Sequence, residues 1–487
     1  MGFLGMRGTG DWVPNQRKLS WREMILRLYP NGRAPLTAML SKMKKTPLDD
    51  PTFNWWAKIF SSVQGPVTAT TLATTATIGT EFTVTLGTRS AAAADGSMPP
   101  LAIPPGKPGA KQQQPESILG GVTSPNRMDR PAGNERTNIE SYMTLIRPGH
   151  QMLLLSSGNA PFSLNAKVVS LAAGADANTT VVTLRALEAP YGLGTSDTVD
   201  YFMIVGNINP EGGEMPDAIS TDPVQIWNNT QIFRTPLSIT RTARKTRLRT
   251  PEQYQESKME CLEMHSVEME LAFLFGVQSV RLGANNQPER TTMGWENFTK
   301  KFAPNNVFDA TAATNPSGLA QRPGGWTAES NGITNGERFL DDVFEYILRY
   351  GGSDRTILCG NGVVRGLNDI PKVAGTIQIA PKQQTYGLRV MDWVTPYGNF
   401  NLLTHPLFNA NPRLRNTAFI MDTQSLEFRY IDDTTFFGES GKTRAEGTGH
   451  NRIDGIKEEY LTEAGLEFGL PMLGAIIYNF GKDRVAA

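Results

Sequence analysis

The chain has 487 residues, room for roughly three ordinary domains or two with a long insertion, and its 47 basic and 47 acidic residues cancel. That balance excludes the broad positive field of a tight nucleic-acid binder or of a protein held to an anionic membrane. Two cysteines, Cys261 and Cys359, exclude a disulfide framework and a cysteine metal centre, while 47 glycines and 32 prolines point to turns, extended loops and β structure rather than a helical bundle.

Residues up to about Leu19 show no period and read as an extended arm. Ser20-Trp21-Arg22-Glu23 is a capping-box pattern opening a short helix through Leu28, closed by Pro30-Asn31-Gly32. A second short helix is predicted over 35–43, with Leu36, Met39, Leu40 and Met43 on one side, and the adjacent aromatics Trp55 and Trp56 follow the turn at Asp50-Pro51. Segments this short do not fold alone, so their apolar surface calls for another surface, here expected on a second subunit. Val67 to Leu86 is threonine-rich and β-branched and predicts one or two strands. Residues 88–136 are low in complexity and read as an extended loop unless a neighbour holds them. Short strands at 152–155, 163–171, 180–184 and 199–205 form a small β module, about 150–210, that looks inserted.

A basic, β-prone arm from Asn228 to Arg249 carries Arg234, Arg241, Arg244, Lys245, Arg247 and Arg249. It leads into a long helix predicted over 251–282, with Thr250 as N-cap, Pro251 at the first position, Gln253 completing a capping box and Gly283 as the stop. Cys261, Met264, Val267, Leu271 and Leu274 make its apolar stripe, widened by Leu262, Met269 and Phe273. Its polar remainder is acidic, including Glu256, Glu260 and Glu263. The opposed signs of arm and helix suggest that Arg241, Arg244 and Arg247 of one subunit face these glutamates on an adjacent one, fixing register more than affinity.

Residues 283–332 read as irregular, anchored by Trp295 and Trp326. An amphipathic helix through Phe339, Val343, Phe344 and Ile347 ends at Gly351-Gly352, a buried strand covers 356–359, and a helix at 363–369 stops before Pro371. Pro396-Tyr397-Gly398-Asn399 marks a hairpin, and the remainder is mostly β.

Catalytic patterns are weak. Gly438-Glu439-Ser440-Gly441-Lys442-Thr443 lacks the glycine spacing of a phosphate loop, Gly447-Thr448-Gly449 lacks the third glycine of a dinucleotide fingerprint, and no Gly-x-Ser-x-Gly elbow occurs. His150, His265, His405 and His450 stand far apart, without metal-ligand spacing, and His265 reads as a packed helix residue. The adjacent Glu458 and Glu459 fit a salt-bridged strand edge better than an acid–base pair. Phosphate contact by Arg241 to Arg249 is the one nucleic-acid reading worth weighing, and it lacks interleaved aromatics. No cofactor, no metal and no enzymatic activity are expected.

Pro35 to Leu40 with Asp50 to Trp56, Asn229 to Phe233 leading to Thr242-Ala243, Glu263 to Glu268 with Ala272 to Gly276, and later Tyr386-Gly387 and Thr395 to Gly398 follow one another along the chain. In these strings and their order the chain resembles the major capsid proteins of tailed bacteriophages, with the Hong Kong 97 phage-type fold. The resemblance implies an α+β fold: an N-arm (1–56), an extended loop (57–249) carrying the β insertion, a peripheral domain on a long spine helix (250–329), an axial α/β domain (330–410) and C-terminal strands (411–487) completing both. It further implies self-assembly into pentamers and hexamers around double-stranded phage DNA, without sequence-specific binding and without a membrane. Portal and separate scaffolding proteins would be partners, with a decoration protein optional, in a virion shell assembled in the bacterial cytoplasm. Lys107 and Lys111 lie where a crosslinking lysine would sit, but no crosslinking is expected. The alternative from the binding class is a decoration, tail or receptor-binding protein. Inter-subunit contact candidates are Trp55, Trp56, Arg241, Arg244, Arg247, Glu256, Glu260 and Glu263.

Overall fold

The computed structural model describes residues 34–40, 44–57, 63–71, 78–86, 142, 145–156, 162–174, 179–188, 198–216, 218–219, 224–246, 253–310, 334–348, 351–374, 380–381, 390–438 and 455–481. The elements before the spine are α1 (Pro35–Leu40), β1 (Lys45–Pro47), β2 (Thr52–Ala57), β3 (Gln64–Thr71), β4 (Glu81–Leu86), β5 (His150–Ser156), β6 (Phe162–Ala173), β7 (Thr180–Ala186), β8 (Thr198–Asn207), β9 (Val224–Asn229), β10 (Gln231–Thr240) and α2 (Arg241–Lys245). The spine is α3 (Gln253–Phe275), followed by β11 (Ser279–Leu282), β12 (Pro288–Thr291), α4 (Trp295–Phe302), β13 (Val307–Asp309), α5 (Thr334–Leu348), β14 (Asp354–Cys359) and α6 (Asn361–Ala374). Then come β15 (Ala380–Pro381), β16 (Val390–Val394), β17 (Asn399–Thr404), α7 (Pro406–Ala410), β18 (Ala418–Met421), β19 (Glu427–Gly438), β20 (Gly455–Glu467) and β21 (Ala475–Tyr478).

Strand periodicity builds the centre. A seven-stranded mixed sheet runs β13-β21-β18-β14-β17-β16-β15, and its strands alternate between two cores. Ile357, Cys359, Ile420 and Ile477 face the core capped by α5 and α6, while Leu358, Phe419, Met421 and Ile476 face the core shared with α3 and α4. Because both faces are covered, these strands read as continuous apolar runs. The hairpin signal holds: β16 and β17 pair antiparallel, and Thr395 and Gly398 exchange backbone hydrogen bonds across the turn. Helix α6 continues past Pro371 to Ala374, further than expected; a proline near a helix end forfeits one backbone bond without stopping the last turn.

The spine lies on a four-stranded sheet of order β1-β19-β20-β10. Strand β10 alternates buried and exposed over its whole length, so Phe233, Thr235, Leu237 and Ile239 face the helix. The short β1 is pinned to β19 by Lys44–Glu427 at 3.0 Å and Lys45–Asp433 at 2.8 Å. Burial alone would push the Glu427 carboxyl up, but Thr46, Lys44 and Arg429 outweigh it and hold the group below the usual carboxylate value.

The loop between β2 and β9 carries a closed six-stranded barrel, β3-β4-β7-β6-β5-β8. Val84, Leu86, Met152, Leu154, Leu164, Val168, Val182, Leu184 and Phe202 fill its inside, a core sharing no residue with the other two. The inserted module is therefore larger than its predicted limits of about 150–210, since β3 and β4 close it. Strands β3 and β4 pair with β8 and β7 from beyond the low-complexity segment, and the closure leaves neither end strand with an unpaired edge.

Three further expectations are corrected. The spine ends at Phe275, not Leu282: after Gly276 the chain turns into the β11–β12 hairpin, and Gly283 lies in its turn rather than stopping a helix. The Gly276 backbone passes so close to Ala272 and Thr292 that a Cβ would collide with both carbonyls. The stretch after Gly283 is not wholly irregular, because α4 buries Trp295, Phe298 and Phe302 on one side. The helix predicted over 20–28, the spine's N-cap at Thr250-Pro251, the low-complexity segment 88–136, Trp326 and the glycine patterns at 441–449 fall outside the described residues.

Candidate functional site: the spine helix and its contacts

The buried side of the spine is set by His265, Met269 and Phe273, one helical turn apart, together with Leu274 and Glu270. Phe273 meets Phe233 and Phe428 edge-on at 5.9 and 6.1 Å. The sequence-derived stripe is thus only partly right: Leu274 is buried, whereas Met264 is 56 % and Leu271 40 % exposed. Apolar residues lie on nearly every side of this helix, so their pattern alone selects no face.

Two histidines hold the spine to the sheets. His265 is buried as expected; Nδ1 lies 3.0 Å from the Thr235 hydroxyl and Nε2 2.7 Å from that of Thr462. Burial lowers its pKa, with Glu268 opposing. His405 caps α7: its Nδ1 accepts from the Leu407 N–H at 3.2 Å, which leaves the ring proton on Nε2, 2.8 Å from Glu270. The reading of the sequence missed Glu270 and His405. The available signal was an acid flanked on both sides by apolar residues, Met269 and Leu271, and a histidine immediately before Pro406.

The contact candidates divide. Trp55 is 8 % exposed and serves its own subunit: its ring packs on Phe53 and Phe298, and Nε1 donates to the Gly469 carbonyl at 2.9 Å. Its expected place on a second subunit is corrected, because β2 alternates and sends Phe53, Trp55 and Ala57 inward and Trp56 outward, 61 % exposed. The arm is not extended through Arg249. It becomes helix α2, N-capped by the Thr240 hydroxyl, and Arg244 stacks 5.4 Å from the ring of Tyr254 on its own spine. The hydrogen bond from Tyr254 to Glu458, aided by burial, pushes the phenol up to about 12. Arg241 is exposed and takes part in interactions already, as do Glu256 and Glu263; Glu260 is exposed. Arg247 lies outside the described residues.

Glu458 and Glu459 point to opposite sides of β20, one toward Tyr254 and the other into a two-point pair with Arg234. Their separate partners are those of a strand edge rather than of a shared proton. Among the described residues, no three His, Cys, Asp or Glu side chains cluster in a way that could hold a metal ion, and no helix is long and apolar enough to cross a membrane.

A spine helix on one sheet, a second sheet with two covered faces, and a long loop bearing its own barrel define an α+β structural subunit. The chain belongs to the family described as SU10 major capsid protein, whose pattern matches residues 9–480. Among known proteins it is similar to the major capsid protein of Pseudomonas phage PaMx41, 27 % identical over 296 residues. That similarity covers 58 % of this chain and 66 % of the relative, just under two thirds of the relative's length. Among solved structures, an encapsulin complex of Synechococcus elongatus is 10 % identical, with 56 % of this chain and 80 % of that one covered at a TM-score of 0.35. A satellite phage P4 procapsid chain is 13 % identical, with 60 % and 88 % covered at 0.32.

Proposed function

We propose that the chain assembles through pentamers and hexamers into an icosahedral shell of the Hong Kong 97 phage type, enclosing double-stranded DNA without reading its sequence. The observation that carries this is the family match across residues 9–480, which includes the arm, the loop, the spine and both sheets. In this reading residues 1–56 are the N-arm, 57–249 the extended loop, 250–329 the peripheral domain, 330–410 the axial domain and 411–487 the strands completing both. Zero net charge supports it, because a strongly basic inner wall would hold packaged DNA rather than let it slide. Portal and scaffolding proteins are its partners, a decoration protein is optional, and assembly takes place in the host cytoplasm. Expression with a scaffolding protein is expected to yield large closed particles in electron micrographs; a small monodisperse species under those conditions would overturn the proposal.

Contacts between copies are assigned to the outward Trp56 and to α2 against the acidic start of a neighbouring spine, where Glu256, Glu260 and Glu263 stand. Reversing Arg241 and Arg244 to Glu together should block or misdirect assembly while leaving the subunit folded. Normal particles from that double variant would sink this contact.

A further inference from the structure

Glu270 is fully buried in the last two turns of the spine, and four donors converge on its carboxylate. Oε1 accepts from the Leu36 N–H at 2.7 Å and from His405 Nε2 at 2.8 Å. Oε2 accepts from the Thr37 N–H at 2.6 Å and from the Thr37 hydroxyl at 2.7 Å. Leu36 and Thr37 are the second and third residues of α1, whose amides have no helical carbonyl to meet. The residue before Pro35 is Ala34, which has no acceptor to cap them, so the cap comes from 233 residues away. Six residues are too few to hold a helix in water. The order of α1 therefore depends on this carboxylate and on Leu36 and Leu40, both in the core.

His405 brings a second element to the same atom pair. It ends the turn from β17 into α7, its ring stacks on Phe408 at 4.6 Å, and its Nδ1 caps the α7 amide of Leu407. The tautomer that caps α7 is the one that donates to Glu270. If α1 leaves, the carboxylate loses three of its four donors and depends on His405 alone. Of the four hydrogen bonds, the one from His405 is then the contact that remains to hold the carboxylate in place.

We propose that Glu270 is a coupling residue: docking of the N-terminal arm helix α1 on the spine and capping of α7 at the end of the interior strand β17 are two halves of one switch. Release of the arm is then transmitted to the β17–α7 corner through the Glu270–His405 hydrogen bond. This goes beyond the shell-forming role and is testable on the unassembled full chain, whether or not shells form.

Hydrogen exchange of the full chain, read for α1 and for α7, tests it. In Glu270→Gln the amide places its NH2 against an N–H donor whichever way it is turned, and exchange should quicken on the order of tenfold or more in α1 and also at the Leu407 amide. His405→Asn keeps a good cap for α7, but its shorter side chain withdraws the donor from Glu270. There α1 should quicken while Leu407 stays protected. Unchanged α1 exchange in both variants would overturn the proposal, as would a Glu270→Gln chain in which α1 loosens and α7 does not respond. Should Glu270→Gln fail to fold, Thr37→Val removes one donor and keeps the backbone. A smaller change in the same direction in both segments is then expected, and its absence refutes the coupling.

Discussion

Replacing Phe273 by alanine should cost far more than replacing Leu271, two residues away on the same helix. Phe273 has no exposed surface and packs between the rings of Phe233 and Phe428 at 5.9 and 6.1 Å. Truncating such a ring loses about 3–5 kcal/mol through transfer and cavity together. The two edge-on partners put the expected value in the upper part of that range, at about 4 kcal/mol. Leu271 is 40 % exposed, so its loss opens no enclosed cavity and should cost about 1 kcal/mol or less. The expected difference of about 3 kcal/mol is roughly a hundredfold in the folding equilibrium. Equilibrium urea unfolding of unassembled subunits, followed by tryptophan fluorescence with the slope held common, resolves it. If Leu271→Ala proves as damaging as Phe273→Ala, the spine presents a different face to the sheet and the packing described above is wrong.

The tryptophan pair should separate in the same way: Trp55→Ala is expected to destabilise the subunit by about 3–5 kcal/mol, and Trp56→Ala to leave subunit unfolding within about 0.5 kcal/mol while lowering particle yield. Equal unfolding midpoints for the two would refute the inward–outward assignment. His265 has a folded-state pKa lowered by burial, so it contributes stability in full above its unfolded value of 6.5 and loses it as pH falls below that value toward the folded one. Unfolding free energies at pH 7.5 and pH 5, compared with those of His265→Gln, should show a steeper acid loss in the parent chain; parallel curves would rule this out. A charge inside the barrel, as in Leu154→Asp, should expose barrel amides to exchange and leave those of α5 and β14 protected, since the barrel core is separate. Loss of protection in all of them together would show that the cores are not independent.

What could be read in advance followed from period. In β7, Thr180, Val182, Leu184 and Ala186 alternate with exposed or half-exposed residues, and a two-residue repeat has a single geometrical meaning. Helix α5 was legible by its helical period, and the central strands as short continuous apolar runs covered on both faces. The spine's orientation was not, because its coverings come from two sides: a sheet meets His265 and Phe273, and α1 meets Glu270. No single stripe describes a helix gripped in that way. Trp55 misled because its neighbour Trp56 shares its chemistry, and only strand alternation assigns them opposite sides. Glu270 and His405 stayed hidden because their meaning lies in separations of 135 residues or more, which local pattern does not encode.

The barrel in the loop closes on itself, and closure has a consequence for how such a chain can grow. An added sheet with open edges would offer every nascent subunit a ladder for mispairing with the many copies crowded around it. A closed barrel offers none along its strands, and its core is its own. Surface residues of this module can then diversify without adding a path to aggregation, which makes the loop a place where novelty is tolerated by a protein that has to meet its own copies in only a few ways.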